Sequence, residues 1–93
     1  MNEEIKQLEG KSVTVIDNNT TNYLLKITGV FTTCNDLIRI VGKKNKNNLT
    51  FIKYFIAIIK ESEVPMFKGH EDMPQSFRVT FKNETYIDII INE

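Results

Sequence analysis

Residues 50–61, TFIKYFIAIIKE, form the most apolar stretch of the chain, and what this stretch becomes decides the fold. It is too short to cross a membrane, because Phe51 to Ile59 is interrupted by Lys53 and a hydrocarbon core needs roughly 20 apolar residues of helix. Ile52, Phe55, Ile56 and Ile59 do have helical spacing. Against a helix stand the density of β-branched and aromatic residues and the lack of a polar stripe. Read as a strand, it places Phe51, Lys53, Phe55, Ala57 and Ile59 on one face and Ile52, Tyr54, Ile56 and Ile58 on the other. Both sets are apolar, so the expectation is burial on both faces. An antiparallel strand of that kind bridges two layers or breaks in the middle. The expected break lies near Tyr54 to Ile56, with one strand on each side.

The neighbouring segments repeat every two residues, the period of a half-buried strand. Val13 and Val15 alternate with Ser12 and Thr14; Tyr23, Leu25 and Ile27 with Leu24, Lys26 and Thr28; Leu37, Arg39 and Val41 with Ile38 and Ile40. Gly29 interrupts the second of these, the mark of a bulge or a sharp bend. DNNTTN and TTCND read as turns, and KKNKNN as a polar loop. Before the strands, residues 2–9 predict a short helix: Ile5 and Leu8 are three apart, Glu3 and Glu4 fall in the first turn, and Gly10 stops it. Residues 62–76, with both prolines, predict a long loop and the most mobile segment. SFRVTF and TYIDIII around KNE predict a hairpin over 77–92.

At 93 residues the chain fits one domain. Its twelve basic and twelve acidic residues cancel, so no global field draws it toward nucleic acid or anionic lipid. The lone Cys34 and the charged start MNEEIKQLEG, which lacks the apolar core of a signal peptide, lead to the expectation of a cytoplasmic, non-membrane protein.

The segments LEGKSVTVI, YLLKITGVF, NDLIRIVG and LTFIKYFIAIIKE resemble the Sm-like fold, a small SH3-type barrel, over residues 5–61. In that family the second strand commonly carries a glycine and leads to an Asp or Asn turn; Gly29, Asn35 and Asp36 stand in similar places. The resemblance implies a mainly β domain over 1–93: a short N-terminal helix, a five-stranded Sm-like or SH3-like barrel over 11–61 and an added C-terminal β-hairpin. It also implies rings built by edge-strand pairing. Bacterial Sm-like RNA chaperones line an RNA pore with a Tyr-Lys-His triplet; here Lys53 matches the lysine, and Ile52 and Tyr54 replace the other two.

Catalytic chemistry finds little to work with. His70, Glu71 and Asp72 are adjacent in one loop, whereas a zinc site wants about four converging ligands, and the chain has one His and one Cys. No nucleophile motif or phosphate-binding glycine loop is present. The expectation is a protein that is not an enzyme and needs no cofactor or metal. Two binding surfaces stand out instead. Lys43, Lys44, Lys46 and Lys53 with Tyr54, and with Tyr23 as a further ring, have the cations and stacking faces by which small barrels hold single strands. Tyr86, Asp88 and Ile90 mark a terminal strand that reads either as an open edge accepting a partner strand or as one closing the chain's own sheet.

The function expected is a non-catalytic cytosolic binding or regulatory module acting through protein contacts, self-association included. The alternatives are a Sm-like single-stranded RNA- or DNA-binding protein and a phage or mobile-element inhibitor of a host protein.

Overall fold

The computed structural model describes residues 2–17, 25–42, 48–62 and 75–92. Helix α1 (Asn2–Leu8) has the expected acidic first turn, and a helix of that length holds only by what it packs on. Ile5 and Leu8 are buried in the core. Gly10, at φ +77°, turns the chain sharply out of the helix. Its N–H donates to the Phe31 carbonyl at 2.8 Å, and the Phe31 N–H donates to the Lys11 carbonyl at 2.9 Å, tying the helix exit to a strand.

Seven strands follow: β1 (Ser12–Asp17), β2 (Leu25–Cys34), β3 (Leu37–Gly42), β4 (Asn48–Ile52), β5 (Ile56–Glu61), β6 (Ser76–Phe81) and β7 (Tyr86–Ile91). All pair antiparallel in one open sheet of order β4-β3-β2-β1-β7-β6-β5. The hairpin β6–β7 is therefore not an appendage to a finished barrel. It sits between β5 and β1, and β1 takes β7 as its second neighbour.

The long strand β2 serves two partners in succession, pairing with β1 over Leu25 to Val30 and with β3 over Gly29 to Cys34. Gly29 lies where the two ladders overlap. The register runs through it without a bulge; what excludes a side chain is close approach, since a Cβ there would lie 2.3 Å from the Val41 carbonyl oxygen. The β2–β3 connection is a two-residue turn, Asn35-Asp36, with Asn35 at φ +54°, and such turns tolerate asparagine in the left-handed region.

One face of the sheet carries the main core, built from Val13, Val15, Phe31, Ile38, Ile40, Ile59, Phe77, Val79 and Ile89 with α1 against it. The opposite face buries a smaller set, Ile16 and Ile90, next to the buried polar residues Thr14, Ser76 and Asp88. Burial on both faces thus belongs to the middle of the sheet, where β7 is buried from Ile87 to Ile91. The strand around residues 50–61, for which double burial was expected, breaks as anticipated, into β4 and β5 across a single 3-10 turn, Lys53–Phe55. Its two halves are the two edges of the sheet, so among the described residues no further strand covers their outer sides, and much of the stretch is exposed.

The described residues form no helix long and apolar enough to cross a membrane.

Candidate functional site

The break between the two edge strands concentrates exposed apolar side chains. Tyr54 is 71% exposed, Phe55 52%, Ile58 48%, Ile52 40% and Leu37 37%. Four of these lie within seven consecutive residues, and the fifth, Leu37, pairs directly with Ile52 across β3–β4. Single exposed hydrophobic residues are ordinary on a protein surface, whereas a contiguous set marks a contact site.

The 3-10 turn is held in place from two sides. The Lys53 N–H donates to the Asp36 carbonyl at 2.8 Å, extending the β3–β4 ladder by one step. The Lys82 N–H donates to the Phe55 carbonyl, also at 2.8 Å, which docks the β6–β7 hairpin tip onto the turn. Beneath the contact, Phe51 and Phe81 meet edge to face with centroids 5.4 Å apart. Above it, the Lys82 ammonium lies 3.7 Å from the centroid of the Tyr54 ring, and Tyr54 meets Phe55 edge to face at 5.6 Å. A cation over a tyrosine face is attracted by the ring quadrupole. The aromatic pair is thereby presented on a fixed turn.

Of the residues expected to bind nucleic acid, Lys53 and Tyr54 are adjacent in this turn, Lys53 half-buried and Tyr54 exposed. Lys43, Lys44 and Lys46 lie outside the described residues, as do Tyr23 and the His70, Glu71 and Asp72 cluster.

The residues expected at a protein-binding edge lie elsewhere. Tyr86, Asp88 and Ile90 are on β7, which is flanked on both sides by β1 and β6; of the two readings of that strand, the one that closes the chain's own sheet holds. Its backbone is paired on both sides from Asp88 to Ile90. Asp88 is 2% exposed and accepts a forked pair of hydrogen bonds from Arg78, 2.9 Å from Nε and 3.2 Å from the terminal nitrogen. That fork holds the guanidinium above its ordinary pKa, against a smaller opposing effect of burial. The same guanidinium lies 4.1 Å from the centre of the Tyr86 ring. Tyr86 and Asp88 thus serve an internal ion pair, and Ile90 is buried beside Ile16.

Five residues of the exposed surface were not singled out by their pattern: Leu37, Ile52, Phe55, Ile58 and Lys82. Apolar residues on both faces of 50–61 were the available signal, and that signal reads equally as double burial or as an exposed edge. Lys82 gave no local sign, since it meets Tyr54 only through the hairpin.

Among the described residues no three His, Cys, Asp or Glu side chains gather as a metal site would require, and the single thiol, Cys34, is exposed at the end of β2. No protein-family model, curated protein or solved structure matches the chain.

Proposed function

We propose that this chain is a non-catalytic binding module that acts through protein contacts, and that the surface centred on Tyr54 and Phe55 makes them. The observation that carries the reading is the clustering of five exposed large hydrophobic residues at the one turn that joins the two sheet edges. Covering such a surface removes apolar area from water at roughly 25 cal/mol per Å², and aromatic side chains in a well-supported setting are the usual anchors of an interface. The Sm-like or SH3-like reading of the fold is supported by the order of elements up to Glu61: a short helix, a long second strand serving two partners, and a 3-10 turn between the fourth and fifth strands.

The test compares the full chain with Tyr54→Ser combined with Phe55→Ser, both after nuclease treatment. The expected outcome is that the parent chain retains a protein partner or a second copy of itself, measured by light scattering and affinity capture, and that the variant loses it while unfolding at the same temperature. Loss of all retained material to nuclease, or equal retention by the variant, sinks the proposal.

A second reading has one observation in its favour: Lys82 over Tyr54, with Lys53 next to it, is a cation and aromatic pair of the kind that stacks nucleic-acid bases. Titration with single-stranded RNA at two salt concentrations separates the two, because phosphate contacts weaken steeply with salt.

A further inference from the structure

Among the described residues the sheet has two free edges, and they differ in how well they are defended. An unpaired strand edge is a template for another strand, and proteins blunt such edges with charges, prolines and bulges. Edge strand β5 is blunted: its register slips between Ile56 and Ile58, and Lys60 and Glu61 stand on it. Edge strand β4, Asn48-Leu49-Thr50-Phe51-Ile52, has no charge, no proline and no register slip.

The open backbone groups of β4 can be assigned. The Lys53 N–H bonds to the Asp36 carbonyl, and the antiparallel ladder alternates from there, so Phe51 and Leu49 face β3 while Ile52 and Thr50 turn their N–H and C=O outward. Both faces beside that edge are incompletely covered. Leu49 and Phe51 are only partly buried against the core, and on the other face Ile52 and Leu37 are exposed. Thr50 stands opposite the exposed Arg39.

Charge says what kind of strand fits. From Leu37 to Lys60 the sequence carries Arg39, Lys43, Lys44, Lys46, Lys53 and Lys60 and no acidic residue, half of the chain's twelve cations, with Asp36 and Glu61 just outside the segment. The described cations nearest the edge, Arg39 and Lys53, make no ion pair among the described residues. We infer that β4 accepts an extended segment of a protein partner whose apolar side chains alternate with Asp or Glu. The apolar side chains cover Leu49 and Phe51, the carboxylates on the other face meet Arg39, and the backbone bonds to Thr50 and Ile52. A second copy's β5 brings Lys60 and Glu61 together and so offers no net acidic charge to the contact. This inference rests on the protein-binding reading and names its partner.

The experiment selects binders from a random octapeptide library on the immobilised full chain and measures the selected peptides against variants in solution. The expected peptides alternate apolar and acidic residues, bind less tightly in high salt, and lose roughly fivefold or more in affinity to Thr50→Pro, which deletes one outward donor, from the worth of one hydrogen bond. Proline is tolerated at an edge position whose N–H faces solvent, and Arg39→Glu is a second variant at an exposed site that leaves the backbone untouched; it is expected to cost several-fold as well. Selected peptides without acidic residues, or peptides that bind Thr50→Pro and Arg39→Glu as tightly as the parent, overturn the inference; if the same peptides are lost to Tyr54→Ser with Phe55→Ser, the protein-binding reading still stands. Enrichment of nothing, with tight salt-dependent binding of single-stranded RNA, overturns both.

Discussion

Glu84 and Gly29 hold backbone positions that suit opposite substitutions. Glu84 sits at φ +73° in the four-residue connection Lys82-Asn83-Glu84-Thr85, where the Glu84 N–H reaches the Phe81 carbonyl at 3.0 Å and Asn83 accepts from Thr85 through its side chain. A left-handed residue in that place is ordinarily glycine, and a side chain there costs about 1 kcal/mol. Glu84→Gly is accordingly expected to stabilise the fold by roughly 0.5–1 kcal/mol, read as a rise in the urea midpoint. Gly29→Ala has the opposite sign, because the new methyl meets the Val41 backbone, which cannot swing aside as a side chain would; a loss of about 2 kcal/mol or more is expected. A third prediction concerns Arg78 and Asp88. Arg78→Ala leaves a buried carboxylate with no cation and should cost roughly 2–3 kcal/mol, a figure reduced from the fully buried case because Arg78 is itself partly exposed. Replacing both, with Arg78→Met and Asp88→Leu beside Ile16, should recover most of that loss, and equal losses in the single and double variants would refute the pairing. Because folding raises the Arg78 pKa, the stability linked to that proton is present below the ordinary guanidinium value and is lost only as pH climbs through the raised one. Gly29 was recognisable in the sequence as special, though for a bend rather than a near-contact; Glu84 was not, since nothing in KNE announces a positive φ at glutamate.

Elements were more legible than their places in the sheet. Period-two alternation located β1, β3 and the β6–β7 hairpin, and the acidic first turn before a glycine located α1, because those signals are local. Which strands sit in the middle is a long-range property. YIDIII was as consistent with an edge as with the interior, and only pairing with β1 through Val13↔Ile91 and Ile16↔Asp88 decides between them. TFIKYFIAIIKE shows the converse: its break was readable from parity, but apolar residues on both faces do not say whether a second layer exists. The edge assignment has a measurable consequence in amide exchange. Amides that open only with the whole sheet, such as those of Val15 and Ile89 between paired strands, should exchange slowest, and the outward amides of Thr50 and Ile52 fastest among the strand residues. Comparable protection of Thr50 and Ile89 in the isolated chain would mean that β4 is not an open edge.

At the scale of the molecule, the open sheet is held together over sequence distance by its last two strands. β1 pairs near one end of the chain with β2 and near the other with β7, and the Asn92 N–H donates to the Ser12 carbonyl at 2.8 Å while its side chain bonds Thr14. Ile87, Ile89 and Ile91 of β7 and Phe77 and Val79 of β6 supply five of the buried members of the main core. Without them β1 has an open side, β5 has no partner strand, and the apolar faces of Val13, Val15 and Ile59 meet water. A chain ending at Gln75 should therefore fail to fold, although residues 5–61 contain a full five-strand pattern with a helix of their own. Circular dichroism and proton chemical-shift dispersion measure this directly: the expected fragment lacks a cooperative urea transition, whereas the full chain, with its pairing of distant segments, unfolds in one step and refolds on the millisecond-to-second scale typical of such β topologies. A cooperative transition in the fragment would mean that β1 to β5 form a domain alone and that the hairpin is an addition after all. The physical case against that outcome is that β5 reaches β1 only through β7 and β6, so removing the hairpin leaves β1 to β4 as a sheet with an open side and β5 with no partner strand.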